Sequence, residues 1–100
     1  MSATTQPVNL TEDQLALIAR ALADPRRYEI LKTISTKRSC TPCSKMRDCI
    51  DISPATLSHH MKELETAGLV RSEKDGKFVN YFPQPHILTA YLDRLKSDLA

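Results

Sequence analysis

Apolar side chains recur at helical intervals near both ends of the chain. The first set occupies positions i, i+3, i+4 and i+7: Leu15, Ile18, Ala19 and Leu22. This spacing predicts a helix with one apolar face, and Thr11 with Gln14 provides a capping box at its start. The second set predicts a last helix: Leu88, Tyr91, Leu92, Leu95 and Leu99. Both helices carry more apolar surface than one buried stripe needs, which favours contact with a partner.

Three more helices are predicted between these two. Asp24-Pro25 and Ser53-Pro54 each place a capping residue before a proline, the usual start of a helix. The first of these pairs begins a helix that runs to about Ile34 and is followed by a loop over residues 35–42. A short helix over about residues 44–50 comes next. The second pair begins a helix that runs to Ala67 and stops at Gly68.

A hairpin is predicted before the last helix. Residues 69–74 and 77–82 form two strands around Asp75-Gly76, a dipeptide typical of a two-residue turn. The predicted order is therefore ααααββα, a mainly α chain with a small β-hairpin (α+β). We expect residues 1–10 to be a disordered tail, since residues 1–9 are polar and lack apolar periodicity, and residues 11–100 to form one domain.

Composition adds little to this pattern. The chain has 100 residues and a net charge of +2. Its basic surplus lies between Asp24 and Asn80, which contain 11 Lys or Arg against 8 Asp or Glu. No segment is apolar enough for a membrane span or a signal peptide, so we expect a cytoplasmic protein with reduced thiols and no membrane partner.

The third and fourth predicted helices match a helix-turn-helix, in which the second helix enters the major groove of DNA. Leu57, Met61 and Leu64 form the inner face of that second helix. Its polar side supplies the candidate DNA contacts Ala55, Thr56, Ser58, His59 and Lys62. Such a face alone is equally typical of a solvated surface. The charged hairpin that follows favours a DNA-binding wing, with Arg71, Lys74 and Lys77 on the DNA backbone.

Two stretches carry a family resemblance: ALADPRRYEIL, residues 21–31, and SPATLSHHMKELETAGLV, residues 53–70. They resemble the ArsR/SmtB family of small metal-sensing and related winged helix-turn-helix repressors. The resemblance implies a homodimer built from the first and last helices, a palindromic operator, and repression that an effector relieves. The candidate interface residues on these helices are Leu15, Ile18, Leu22, Leu88, Tyr91, Leu92 and Leu95.

The adjacent histidines have different predicted roles. His59 points outward as a DNA contact, and His60 lies near the buried face. We expect His60 to be a packed, hydrogen-bonded structural residue rather than a phosphate contact. Their side chains diverge by about 100° on a helix, which argues against a shared metal ion.

The three cysteines, Cys40, Cys43 and Cys49, do not determine which effector the protein responds to. Cys49 fits a small packed residue on the third helix. Cys40 and Cys43 lie among basic residues that lower a thiol pKa, so they are candidates for a redox switch or a thiophilic metal or metalloid site, or have no sensing role. Metalloid sensors of the family often carry Cys-x-Cys here, whereas this chain has Cys-Thr-Pro-Cys. His86 and Asp93 are too far apart for the family's zinc site, and no cofactor is required.

Two functions other than DNA-binding repression are compatible with parts of this pattern. A winged-helix protein-interaction module would have the same fold without an operator. A thiol oxidoreductase would use Cys-Thr-Pro-Cys, but that chemistry belongs to a βαβ setting that this pattern lacks. Because no paired acid and base or glycine-rich phosphate loop is present either, we predict that the chain is not an enzyme.

Overall fold

The computed structural model describes residues 9–37, 41–42 and 52–100. Its elements in chain order are α1 (Glu12–Leu22), α2 (Pro25–Lys37), β1 (Thr41–Pro42), α3 (Pro54–Thr66), β2 (Val70–Asp75), β3 (Phe78–Pro83) and α4 (Pro85–Leu99). The predicted short helix over residues 44–50 lies outside the described residues, so α3 is the fourth helix of the sequence prediction. The predicted fold class, mainly α with a β-hairpin, is confirmed.

The three predicted helix starts are confirmed by their capping bonds. The backbone N–H of Gln14 donates to the Thr11 hydroxyl at 3.1 Å, and the Thr11 N–H donates to the Gln14 side chain at 2.9 Å. Asp24 accepts from the N–H of Arg26 at 2.9 Å, and Ser53 accepts from the N–H of Thr56 at 3.2 Å. Each cap satisfies N–H groups that have no partner within the helix.

The connection after α2 differs from its prediction. The helix continues past Ile34 to Lys37, so residues 35–37 are helical rather than part of a loop. The hydroxyl of Thr36 donates to the carbonyl of Lys32 at 2.7 Å inside this added turn. Thr41 and Pro42 then form a short strand that pairs with Tyr81 and Asn80. A pairing between distant segments of this kind has no local signature, and the hairpin becomes a sheet of order β1-β3-β2.

The hairpin turn lies one residue later than predicted, which changes the pairing register by two residues. Asp75 pairs with Phe78, which leaves Gly76 and Lys77 as the two turn residues in place of Asp75 and Gly76. Gly76 has a φ of 63°, a conformation that glycine adopts without strain. Lys74 therefore lies opposite Val79, whereas the predicted turn placed it opposite Lys77.

A single core joins the helices to the base of the hairpin. Its fully buried side chains are Ile18, Ile30, Ile34, Leu57, Met61, Leu64, Leu69 and Val70. Leu10 is also buried in this core, so the prediction of a disordered tail through residue 10 was wrong at its last residue: this side chain gains apolar contacts at the start of α1. In the described part of the chain, no helix is long and apolar enough to cross a membrane.

Candidate nucleic-acid interface

The outer face of α3 is a row of exposed small and polar side chains. It consists of the five predicted contacts Ala55, Thr56, Ser58, His59 and Lys62, all exposed. Leu57, Met61 and Leu64 on the opposite face are at most 1% exposed. Because the apolar face is fully used inside the chain, α3 is held firmly while its polar face remains open to a partner.

One of the predicted contacts also serves the helix cap. The Ser53 hydroxyl donates to the Thr56 hydroxyl at 2.8 Å while it accepts from the Thr56 N–H. The orientation of the Thr56 side chain is thereby fixed at the start of the helix. Ser58, His59 and Lys62 lie further along the same exposed surface.

The basic residues of the hairpin lie in two places, at its tip and near its base. Lys74 and Lys77 are exposed near the tip, as predicted. Arg71 lies near the base, where its guanidinium stacks on the Phe82 ring at 4.2 Å from the centroid and pairs with Glu73. The two lysines are therefore the wing cations best placed to reach a DNA backbone, whereas part of the Arg71 charge is already offset by Glu73.

A side-chain bond joins the wing to α3. The Ser72 hydroxyl on β2 donates to the Glu65 carboxylate near the end of α3 at 2.6 Å. Sequence reasoning missed this contact because it joins residues seven positions apart in two different elements. It ties the base of β2 to the last turn of α3.

Phe78 is a second feature that the sequence prediction missed. It follows the turn directly and is 62% exposed. The predicted register placed residue 78 inside a strand without deciding its face, whereas the observed pair with Asp75 puts it at the tip. The tip of the wing therefore carries an exposed aromatic side chain as well as the exposed Lys77.

This arrangement of helix and wing agrees with three comparisons. Residues 22–73 match a family model described as a helix-turn-helix domain. An uncharacterized HTH-type transcriptional regulator of Methanocaldococcus jannaschii is 34% identical over 70 residues, which cover 70% of this chain and 78% of that protein. The solved ArsR-like transcriptional regulator from Rhodococcus sp. RHA1 has a TM-score of 0.76 at 27% identity, covering 85% of this chain and 78% of its own. The chain belongs to the ArsR family of winged helix-turn-helix regulators.

The name of another relative refers to cadmium resistance. The cadmium resistance transcriptional regulatory protein CadC of Listeria innocua is 38% identical over 63 residues, which cover 63% of this chain and 52% of CadC. The chain therefore spans about half the length of the cadmium regulators that it matches. The resemblance predicted from residues 21–31 and 53–70 is confirmed, and both stretches lie almost entirely within the matched helix-turn-helix region.

Two buried polar residues, His60 on α3 and Arg27 on α2, lie on the inner side of this ArsR-family chain. His60 is 6% exposed and Arg27 is 7% exposed. Arg27 donates to the carbonyls of Arg20 and Ala21 at 3.2 and 3.4 Å, which closes the end of α1. The predicted burial of His60 is confirmed, and its Nδ1 atom has no hydrogen-bond partner in the described part of the chain.

The surroundings of His60 oppose its protonation. Burial lowers the pKa of His60, and the neighbouring Asp24 carboxylate offsets this only in part. The charges of Arg27, His59 and Arg26 lower the pKa of His60 further. For Asp24, burial raises the pKa, but amide hydrogen bonds from Arg26 and Arg27 outweigh it and leave the pKa lowered.

Acid should therefore weaken the fold through His60. An unfolded chain takes up a proton at the ordinary pKa of 6.5, before the folded chain does. The contribution of neutral His60 to the free energy of unfolding is complete above about pH 6.5. It is lost as the pH falls towards the lower pKa of His60 in the folded chain. Urea unfolding between pH 8 and 5 should show this decline in the wild type and a smaller one in His60→Gln. An equal decline in stability in the wild type and in His60→Gln would show that a group other than His60 causes the loss. Asp24 titrates below its ordinary pKa of 3.8, outside this range.

The predicted dimer residues divide into core and surface. Ile18 is fully buried and Tyr91 is 9% exposed in the single chain, so these two belong to the core and we remove them from the predicted interface. Leu92 is 54% exposed, and Leu99, one of the apolar positions of the last helix, is 79% exposed. The remaining predicted residues are half-buried: Leu15, Leu22, Leu88 and Leu95.

The predicted effector residues Cys40 and Cys43, as well as Cys49, lie outside the described residues. Within residues 9–37, 41–42 and 52–100, no group of three His, Cys, Asp or Glu side chains is arranged to hold a metal ion.

Proposed function

We propose that this ArsR-family chain is a sequence-specific DNA-binding repressor that acts as a homodimer on a palindromic operator in the cytoplasm. The observation that carries the proposal is the division of α3 into a fully buried apolar face and an exposed polar face, next to a wing with two exposed lysines. A helix that enters the major groove needs both features, a rigid support and short polar side chains near its start.

Some of the exposed residues would contact bases and others would contact phosphates. Ser58 and His59 can donate or accept hydrogen bonds at base edges, and Ala55 can contact a thymine methyl group. Lys62, Lys74 and Lys77 carry charges that suit phosphates, with Arg71 contributing less because of its pair with Glu73. Base contacts would provide specificity, and phosphate contacts would provide affinity and orientation.

A homodimer is supported by the apolar surface that a single chain leaves exposed. Leu92 and Leu99 lie on the outside of α4, where water would otherwise surround them. Burying them against a second copy is favourable, since each apolar side chain removed from water contributes about 1.5–3 kcal/mol. Two copies related by a two-fold axis would present two α3 helices to the two half-sites of a palindrome.

We expect Lys74→Ala and Lys77→Ala to weaken binding to all DNA sequences alike. Each change removes one phosphate contact, so the slope of log affinity against log salt concentration should fall by about one unit. Fluorescence anisotropy at several salt concentrations measures this slope. Asp93→Ala, an exposed change on α4 away from the wing, is the control. Salt-independent or absent DNA binding by the wild type would instead favour the protein-interaction module.

We further propose that Cys40 and Cys43 sense thiol oxidation or a thiophilic metal or metalloid. Support comes from their C-x2-C spacing among basic residues and from the similarity to a cadmium resistance regulator. Thiolates are strong ligands for soft metals, and two thiols this close in sequence can also be oxidised to a disulfide.

Mild oxidation, arsenite or cadmium should therefore weaken DNA binding by about tenfold, since a bias of 1.4 kcal/mol against the bound form is sufficient. The double variant Cys40→Ser/Cys43→Ser should bind DNA normally and lose the response. Cys49→Ala should retain both. An identical response in the wild type and the double variant would show that these two thiols are not the sensor.

A further inference from the structure

Gln84 connects the end of α3 to the beginning of α4 through three hydrogen bonds. Its backbone N–H donates to the Leu69 carbonyl at 2.9 Å, and its side-chain Nε2 donates to the Gly68 carbonyl at 2.8 Å. Its own carbonyl accepts from the N–H of Ile87, in the first turn of α4, at 3.1 Å. One residue is thus bound both to the segment that ends α3 and to the helix that follows it.

The use of the side chain is unusual for this position. Gln84 is the N-cap of α4, where a side chain normally bonds to the first N–H groups of its own helix. Here the side chain makes no such bond and reaches across to residue 68. The backbone bond prolongs the β2–β3 ladder by one residue beyond the Val70–Pro83 pair, and the side chain extends it to Gly68.

The neighbouring residues restrict this connection further. Pro83 and Pro85 flank Gln84, so its N–H is the only backbone donor among the three residues. Proline also disfavours the helical conformation for the residue before it, which agrees with the φ of −120° at Gln84. On the other side, Gly68 has a φ of 83°, and the Ile87 side chain lies 3.8 Å from where a Cβ of residue 68 would be. The first turn of α4 therefore packs directly over the end of α3.

We propose that Gln84 is a positioning residue that fixes the angle between α3 and α4, and thereby the half-site spacing that the dimer accepts. The inference rests on the proposed function, in which α4 contributes to the dimer interface and α3 contacts DNA. In such a dimer, the angle between these two helices determines how far apart the two α3 helices lie. Loss of the side-chain bond relaxes that angle without removing any DNA contact.

The test compares operators that differ only in spacing. Two copies of the half-site selected by the wild-type protein are separated by the preferred distance and by one or two base pairs more or less. Gln84→Met keeps the length of the side chain and removes its donor. We expect about tenfold weaker binding at the preferred spacing, little change at the others, and unchanged binding to a single half-site. Gln84→Glu, which turns the donor into an acceptor opposite a carbonyl, should broaden the preference at least as much.

Gln14→Met is the matched control. It makes the same substitution at a residue whose side chain likewise bonds to the backbone, but in α1, where it accepts from the Thr11 N–H. It should lower the stability and leave the spacing preference sharp. The inference is overturned if Gln84→Met and Gln84→Glu keep the sharp preference of the wild type, or if Gln14→Met broadens it equally. A wild type that prefers no spacing contradicts the proposed dimeric repressor itself, which is a separate result.

Discussion

Replacing Leu92 with glutamate should convert the protein from a dimer to a folded monomer. Leu92 is 54% exposed in the single chain, so the change leaves the core intact. In a dimer the same position would place a carboxylate in an apolar interface, where the loss of hydration costs several kcal/mol. We expect dimerisation to weaken by at least about 100-fold, roughly 2.8 kcal/mol, with a similar loss of operator affinity.

Sedimentation at micromolar concentration measures this change, and circular dichroism checks that the helices remain. Ser97→Glu adds the same charge at an exposed position on another side of α4 and should leave the dimer intact. A wild-type monomer at these concentrations, or a Leu92→Glu variant as dimeric as Ser97→Glu, would exclude this surface as the interface.

Two adjacent substitutions on α3 should separate stability from recognition. Leu57 is 1% exposed, and Leu57→Ala leaves a cavity between α3 and the core. Such changes lower the free energy of unfolding by about 2–5 kcal/mol. Ser58 is exposed, and Ser58→Ala should change the free energy of unfolding by less than about 0.5 kcal/mol. Its effect should instead be a changed base preference in the half-site, of roughly tenfold at one position.

Urea unfolding and binding to a set of single-base operator variants provide the two measurements. The pair is informative because the residues are neighbours in sequence, yet Leu57 is buried and Ser58 is exposed. If Ser58→Ala binds every operator variant as the wild type does, Ser58 does not contact a base. If Leu57→Ala unfolds as the wild type does, the described core does not support α3.

Local signals in the sequence predicted most of the described helices correctly. Thr11, Asp24 and Ser53 cap helices because a side-chain oxygen satisfies nearby N–H groups, and this depends on residues only two or three positions apart. The inner and outer faces of α3 were also predictable, since helical periodicity alone separates Leu57 from Ser58. The candidate DNA contacts on α3 are therefore exposed as predicted, although their contact with DNA remains a prediction.

Features that join distant segments were not predictable in this way. The strand at Thr41–Pro42 exists only because β3 lies beside it, and the hairpin register depends on how its base packs on the core. Similarly, periodicity assigns an apolar face to Ile18 and Tyr91 but cannot distinguish burial in the chain's own core from burial against a second copy. The cluster of His60 and Arg27 and the bonds of Gln84 likewise bring together residues from separate elements.

Selection of bound sequences from a random DNA library tests the central claim most directly. The wild-type protein should enrich an inverted repeat whose half-sites are about one helical turn, roughly 10 base pairs, apart or a multiple of that. Two chains should bind each enriched site. Enrichment of no sequence, or of a single half-site bound by one chain, would contradict a dimeric repressor that reads DNA with two copies of α3.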